Sequence, residues 1–285
     1  MTKIDLHIHS NYSDGSNSIS ELAEIIKTAG LEVFALTDHD TVSGCDEMTE
    51  IVSQQNIKFI KGVEFTCITN GIKCHILGFG CDVKNKKLLD LIDQGKKLRR
   101  KKFEIRVKYL KEVLNIELAQ NELDWLNSRN SVTKTHFANI LVNRGLAEDP
   151  VSAMKKYLDA CKTPKADFDA KEAIDVLKDA GAIPVWAHPL GGEGETHLEF
   201  NKFPERLEHM ISLGIKGIEC YYSRYNREEI SFLKDCAKKY NLLVSGGSDF
   251  HGTNKKNITP AKLSTDYILV EKSDLTVLDE LNIIS

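Results

Sequence analysis

The 285-residue sequence has no run of eighteen apolar residues. Its opening, Met1-Thr-Lys-Ile-Asp-Leu-His-Ile-His9, puts charged and imidazole side chains where a secretory leader needs an apolar stretch. Neither a membrane span nor a signal peptide is expected. The seven cysteines include no Cys-x-x-Cys pair, which speaks for a reduced, cytoplasmic setting. Cys67, Cys74 and Cys81 recur at equal spacing. Six intervening residues do not suit a zinc knuckle, however, and the stretch has strand character, where buried free thiols are common. No glycine-rich phosphate loop follows any strand pattern, so nucleotide binding of that kind is unsupported. Collagen-like, coiled-coil and low-complexity compositions are absent. An excess of one charge sign is missing too, since 38 basic against 42 acidic residues leave a formal net charge of −4.

What the sequence does have is alternation. Lys3–His9 predicts a strand with Ile4, Leu6 and Ile8 on one face, and Ser18-Ile-Ser-Glu21 is a capping box opening a helix that Gly30 stops. Strands are predicted over Val33–Thr37, Lys58–Cys67 and Ile72–Phe79, the last two joined by an Asn70-Gly71 hairpin turn, with a helix through Met48 and Ile51. The second half continues with helix Ala170–Ala180, strand Ile183–Ala187, helix Pro204–Leu213 and strand Gly217–Tyr221. Helix Arg227–Tyr240, strand Leu242–Gly246, strand Tyr267–Val270 and a last short helix follow. This is the pattern of an α/β fold with a parallel sheet and crossover helices, and about seven units favour a barrel over an open sheet. Only helical periodicity remains from Lys84 to Thr163, with Phe103, Val107, Leu110 and Leu114 on one face. One barrel formed by residues 1–83 and 164–285, interrupted by an all-helical insertion at 84–163, is therefore expected.

The polar anomalies fall at the C-terminal ends of predicted strands, where barrel active sites form. His7 and His9, two apart at the end of the first strand, point to the same side, and Asp14 follows in a turn. Asp38 and His39 end the second strand, Glu64 ends the third and His75 lies in the fourth. His188 follows Val185-Trp-Ala187, and Asp249-Phe-His251 follows Leu242–Gly247. A single histidine near a strand end is ordinarily a hydrogen-bonded core or surface residue. Six of nine histidines with three carboxylates at equivalent strand ends form a different pattern, because buried ionisable groups are costly unless paired or bound to metal. Nine N/O donors exceed what one ion uses. Imidazole and carboxylate without thiolate suit Mn, Fe or Zn better than Mg or Ca, and a carboxylate such as Glu64 can bridge two ions. The residues thus point to a multinuclear metal centre for hydrolysis.

His7-Ile-His9-Ser with Ser13-Asp14-Gly15, Thr37-Asp38-His39-Asp40, Gly62-Val-Glu64, His75-Ile-Leu-Gly-Phe79, Ala187-His188-Pro189 and Gly247-Ser-Asp249-Phe-His251-Gly resemble the polymerase and histidinol phosphatase (PHP) family of metal-dependent phosphoesterases. The resemblance spans the chain apart from the insertion. It implies a distorted (β/α)7 barrel carrying three divalent transition-metal ions. Carried over position by position, His7, His9, Glu64 and Asp249 would hold the first ion. Glu64 as a bridge with His75 and His188 would hold the second, and Asp14, His39 and His251 the third. Asp38 would stand behind the ligands, orienting an imidazole. The implied reaction is in-line attack on phosphorus by metal-activated water, with His251 or the third ion steadying the leaving alkoxide and phosphate as product or bound anion. Ser10 and Ser248 lack the strand–elbow–helix context of a nucleophile and read as loop hydroxyls.

The insertion, its stretch His136-Phe-Ala-Asn-Ile-Leu-Val-Asn-Arg-Gly145, and Gly217-Ile-Glu219-Cys-Tyr-Tyr222 resemble the branch acting on nucleoside 3′,5′-bisphosphates and on short RNA from the 5′ end. Lys134 and Thr135 stand where that branch usually has Arg and Pro, so a phosphate contact at His136's neighbour becomes a lysine contact. The acidic loop Gly191–Phe200, which includes His197, is expected to rim the site; no ligand role is assigned to His197. Between Lys84 and Lys111 twelve basic residues face three acidic ones, a net of +9 that leaves −13 on the rest of the chain. Most of these lysines read as a solvated helix face. Arg99, Arg100 and Arg106, with Lys134, His136 and Arg224, are the candidates for phosphate contact, and Tyr222 or Phe250 for base stacking. The expected partner is a small phosphorylated anion or short single-stranded RNA, without a membrane or an obligate protein partner. Two other enzyme readings are a histidinol-phosphate phosphatase, against which the insertion counts, and an amidohydrolase, which leaves Thr37-Asp-His39 and Asp249-Phe-His251 unexplained. A non-catalytic metal-bound module that binds nucleic acid or a polymerase would be marked by lost ligands, and all nine positions are filled.

Overall fold

The computed structural model describes residues 3–53, 55–128, 132–164, 167–192, 195–255 and 257–281. The chain divides into two compact units, Met1–Leu91 with Phe168–Ser285, and Ile92–Asp167. The first begins with β1 (Lys3–Ile8), α1 (Ile19–Ala29), β2 (Leu31–Leu36), α2 (Cys45–Val52), β3 (Lys58–Thr69) and β4 (Ile72–Phe79). Next along the chain, α3 (Lys86–Glu112) crosses the boundary between the units, and α4 (Gln120–Asn127), α5 (Lys134–Asn143) and α6 (Pro150–Ala153) follow. The first unit resumes with β5 (Phe168–Asp169), α7 (Ala170–Asp179), β6 (Ile183–Trp186), α8 (Phe203–Leu213), β7 (Gly217–Tyr222), α9 (Arg227–Lys239) and β8 (Leu243–Gly247).

Local chemistry accounts for most boundaries. Ser18 and Glu21 form the capping box of α1, and Gly30 ends that helix in the left-handed region at φ 70°. Asn226 and Glu229 do the same at the start of α9. In β1, Ile4, Leu6 and Ile8 are buried on one face and Asp5 and His7 on the other, as in a strand covered on both sides.

The eight strands form one sheet in the order β1-β2-β3-β4-β6-β7-β8, with β5 beside β3. The sheet is mixed: β4 is antiparallel to both β3 and β6. An all-parallel sheet fails there because Asn70 and Gly71 both take positive φ in a two-residue turn, which reverses the chain instead of crossing over. Beyond β8, Phe250 bridges Ile8 in parallel, Asp249 N–H donates to the His7 carbonyl at 2.8 Å and His9 N–H to that of Phe250 at 2.9 Å. This close passage needs Gly247, where a Cβ would lie 2.2 Å from His7 Cβ.

Two sequence expectations fail, and one short strand, β5, is unforeseen. Tyr267–Val270 is not a strand: Tyr267 has φ 52°, which breaks the extension, and Tyr267 and Leu269 lie exposed. The last short helix is a pair of 3-10 turns, Lys272–Asp274 and Thr276–Asp279. The two-residue β5 had too little sequence to carry a period. All seven cysteines are free, and burial pushes the thiols of Cys74 and Cys81 up to about 12. Among the described residues no helix is long and apolar enough to cross a membrane.

The second unit has its own apolar core, which includes Phe103, Leu110, Leu126, Phe137, Leu141 and Leu158. After α6, held at its start by the Asp149 cap, the helix continues as a π-turn over Met154–Leu158.

Candidate metal centre

Two strand geometries bring the ionisable groups to one place. His7 extends from β1 and His9 follows its end, both fully buried. Asp38 and His39 follow β2, and His39 forms an isolated parallel bridge with Glu64. Glu64 does not end its strand, since β3 runs on to Thr69; it lies where β3 has passed the last residue of β2 that it pairs with and turns its other edge to β4. His75 is near the N-terminal end of β4, which the antiparallel course of that strand brings to the same side. His188 follows β6, and Asp249 and His251 follow β8.

The donors interlock around Glu64. Its Oε2 lies 3.1 Å from His7 Nε2, 3.2 Å from His9 Nε2 and 3.3 Å from His39 Nδ1. Its Oε1 lies 3.2 Å from both His75 Nδ1 and His188 Nε2. One carboxylate thus faces two groups of imidazoles with different oxygens. Asp249 Oδ1 approaches His7, His9 and His251 at 3.6, 3.3 and 3.3 Å. Asp14, the most exposed of the nine, reaches His251 Nε2 at 3.1 Å and stands 3.8 and 3.9 Å from His9 and His39. Donor atoms within 4.8 Å of one another form four sets: His7, His9, Glu64 and Asp249; His9, Asp14, His39 and His251; His39, Glu64 and His75; and His75, His188 and Glu195.

Burial alone would raise the pKa of Glu64, but His39, His7 and His75 hold it well below the usual carboxylate range. Burial would likewise raise Asp249, which Lys255, His251 and His7 keep low. His9 is pushed down by burial and by the neighbouring charge of His251. His188 is raised to about 10 against its burial by Glu195 and Glu64.

The donor set fits metal ions. Both ring nitrogens of His9, Nδ1 of His39 and Nε2 of His251 are buried without a hydrogen bond, although carboxylate oxygens stand 3.1 to 3.3 Å from His9 Nε2, His39 Nδ1 and His251 Nε2. Distance without hydrogen-bond direction is what lone pairs aimed at a shared cation leave. Backbone strain gathers here as well: His188 has φ 27° and Asp249 φ 59°, and such conformations persist only where the surroundings enforce them.

A model of the PHP domain matches residues 5–179, well over half of the chain. The chain belongs to the PHP family. Of its relatives, a 5′-3′ exoribonuclease of Haemophilus influenzae is 32% identical over 87% of this chain and 90% of its own. A 3′,5′-nucleoside bisphosphate phosphatase of Chromobacterium violaceum is 27% identical over 88% of both chains. A solved structure from Bifidobacterium adolescentis, labelled a metal-dependent phosphoesterase, is 25% identical and superimposes with a TM-score of 0.74 over 93% of this chain and 94% of that one. This PHP chain is a metal-dependent phosphoric-ester hydrolase.

Other residues named from the sequence take different places. Asp38 does not hydrogen-bond an imidazole: its carboxylate accepts from Ser10 N–H at 2.7 Å and from the hydroxyls of Ser10 and Ser13 at 2.6 Å, pinning the loop that carries Asp14. Tyr222 offers no stacking face; it is fully buried, with its hydroxyl donating to Asp249 Oδ2 at 2.9 Å and its ring beside His188 and Tyr225. Phe250 is buried too. In the helical unit Arg100 pairs with Glu104 and donates to Asn127, and its guanidinium lies over Phe103. Lys134 pairs with Asp159, and His136 accepts from Thr133 N–H at the start of α5. Arg106 is buried, which lowers its pKa, and Arg99 lines a small cleft with Lys96, Arg100 and Phe103. Arg224 is exposed just after β7. Of the loop Gly191–Phe200, Glu193 and Gly194 lie outside the described residues; His197 pairs with Glu229 at 2.7 Å.

Three residues at the site have no role assigned from the sequence, although Glu219 stands in the Gly217–Tyr222 motif. Glu195 faces His188 Nδ1 at 3.5 Å, Lys255 pairs with Asp249 Oδ2 at 2.5 Å, and Glu219 is buried beside His7. Glu219 had a signal, as the one charged residue inside an otherwise uncharged buried strand. Lys255 had none, since nothing local tells a loop lysine turned inward from one turned to water.

Proposed function

We propose that this PHP phosphoesterase hydrolyses phosphomonoesters of nucleotides, foremost the 3′-phosphate of nucleoside 3′,5′-bisphosphates, and trims short RNA from the 5′ end. The observation that carries the reading is the buried cluster in which Glu64 offers one oxygen to His7, His9 and His39 and the other to His75 and His188. That arrangement supports His7, His9, Glu64 and Asp249 as one ligand set, Glu64, His75 and His188 as a second, and Asp14, His39 and His251 as a third. The all-N/O donors favour Mn, Fe or Zn. Such ions, when bound, polarise phosphoryl oxygens and bring the pKa of water to about 7.

The chain's own residues supply the order. The Asp38 carboxylate fixes Ser10 and Ser13 and thereby Asp14. His251 Nδ1–H donates to the Asp249 carbonyl at 2.8 Å, leaving the Nε2 lone pair, on the side of Asp14, to hold a cation that would steady the developing charge of a leaving alkoxide. The bonds that tie the chain after β8 to β1 support reading the sheet as a distorted barrel with the site on one rim. The net +9 between Lys84 and Lys111 supports a substrate with more than one phosphate. Arg99, Arg100, Arg106, Lys134, His136 and Arg224 are the cationic side chains proposed to meet it.

The test is a panel run with Mn²⁺: adenosine 3′,5′-bisphosphate, a 5′-phosphorylated RNA trimer, a cyclic phosphodiester and histidinol phosphate. Release of one phosphate from the bisphosphate, leaving AMP, is the expected leading activity. Turnover of histidinol phosphate or the cyclic diester ahead of it would replace the substrate assignment, and no turnover with any of Mn, Fe or Zn would remove it.

A further inference from the structure

Glu219 lies in β7, its side chain almost wholly out of water. Its Oε1 is 3.0 Å from His7 Nδ1, and its Oε2 accepts the backbone N–H of His188 at 2.7 Å. An ionised carboxylate only accepts, so this contact puts the His7 proton on Nδ1. The opposite nitrogen, Nε2, then carries the lone pair, and it is Nε2 that faces Glu64 and Asp249. At His188 the same carboxylate grips the residue whose backbone takes the strained φ of 27°. His7 belongs to one donor set and His188 to another. A single buried carboxylate therefore touches both, in one case through the ring and in the other through the main chain.

We propose that Glu219 is a positioning residue for two metal positions at once: it selects the Nδ1–H tautomer of His7 and holds the backbone that presents His188. The inference rests on the proposed metal reading of the His7 and His188 sets. Its chemistry makes an unusual demand. Both partners are donors, so two acceptor oxygens are required, and an amide has only one. In Glu219→Gln the NH₂ group must face either the His188 N–H, which it repels, or His7 Nδ1, to which it donates. The second outcome moves the His7 proton to Nε2 and points it at the metal position. The isosteric variant should then be as damaging as truncation, which plain packing would not produce.

The tautomer can be read in the native protein by long-range ¹H–¹⁵N NMR of labelled histidine with Zn²⁺ bound. Protonated Nδ1 with unprotonated Nε2 at His7 is expected, and the reverse overturns the proposal whether or not any variant folds. Mn²⁺ titration with metal analysis supplies the second measurement. Glu219→Gln and Glu219→Ala are each expected to weaken binding of at least one equivalent by about 10- to 100-fold, with the folded circular dichroism spectrum kept. Unchanged stoichiometry and affinity in both variants overturns it. His7→Ala is the reference: if it loses an ion while Glu219→Gln does not, only the role of Glu219 fails. If His7→Ala also binds the native complement, the metal reading fails and this inference with it.

Discussion

The two units handle charge in opposite ways. In the sheet unit, imidazoles and carboxylates are buried together at one place, and their partners come from strands far apart in the chain. In the helical unit the core around Phe103, Phe137 and Leu141 is apolar. Several of its charges lie outside in short-range pairs such as Lys97–Asp93, Arg100–Glu104 and Lys108–Glu112. Surface pairs at helical spacing add little stability, whereas buried ionisable groups are tolerated only when something neutralises them. The contrast separates a region built to fold from one whose burial of charge is explained only by what it binds.

Each half of the contrast can be broken by experiment. His9→Ala removes a group shared by two donor sets, and Mn²⁺-dependent phosphate release is expected to fall by at least about 10³-fold; retention of turnover would dissolve the site. Phe137→Ala should destabilise the helical unit by about 3–5 kcal/mol, since the ring is fully buried. Its metal content by mass analysis should stay native, and joint loss of both would merge the two regions into one cooperative block. Chelation should lower the melting temperature, and readdition of Mn²⁺ at about 100 times its Kd should restore about 2.7 kcal/mol; a melting curve indifferent to metal would contradict a bound site. The smallest effect concerns Glu122, held below its ordinary range by hydrogen bonds from Arg144 and the Ala119 N–H. A depressed carboxyl stabilises above its unfolded value near 4.5 and loses that contribution as pH falls through the folded value. Glu122→Gln should therefore lower stability slightly at neutral pH and flatten the acid limb of denaturation, and a steeper limb would count against the pair.

Much of the fold could be read directly from the chain. The capping boxes at Ser18 and Asn226 and the Asn70-Gly71 turn are local chemistry, and each carries its boundary within a few residues. Positions that failed were those where local pattern and tertiary demand part. Tyr267-Ile-Leu-Val270 is a short apolar run like a strand yet forms none, and β5 exists only through its pairing with β3. The roles of Asp38 and Tyr222 were misjudged for the same reason. A carboxylate after a strand and an aromatic at a strand end look alike whether they meet a ligand, a serine or an aspartate, and only packing distinguishes them.

By itself the sequence determined which donors the site could use and that they would gather, because a period of two and recurring strand ends are properties of the local chain. It also set the separation of a cationic helical stretch from an acidic remainder. Only the tertiary structure decided which oxygen of Glu64 serves which imidazole, that β4 takes β6 as its second, antiparallel neighbour, and that Glu219 backs His7. His7 and Glu219 are 212 residues apart in sequence and 3.0 Å apart in space, a pairing set by sheet order and register, which no short window of residues encodes.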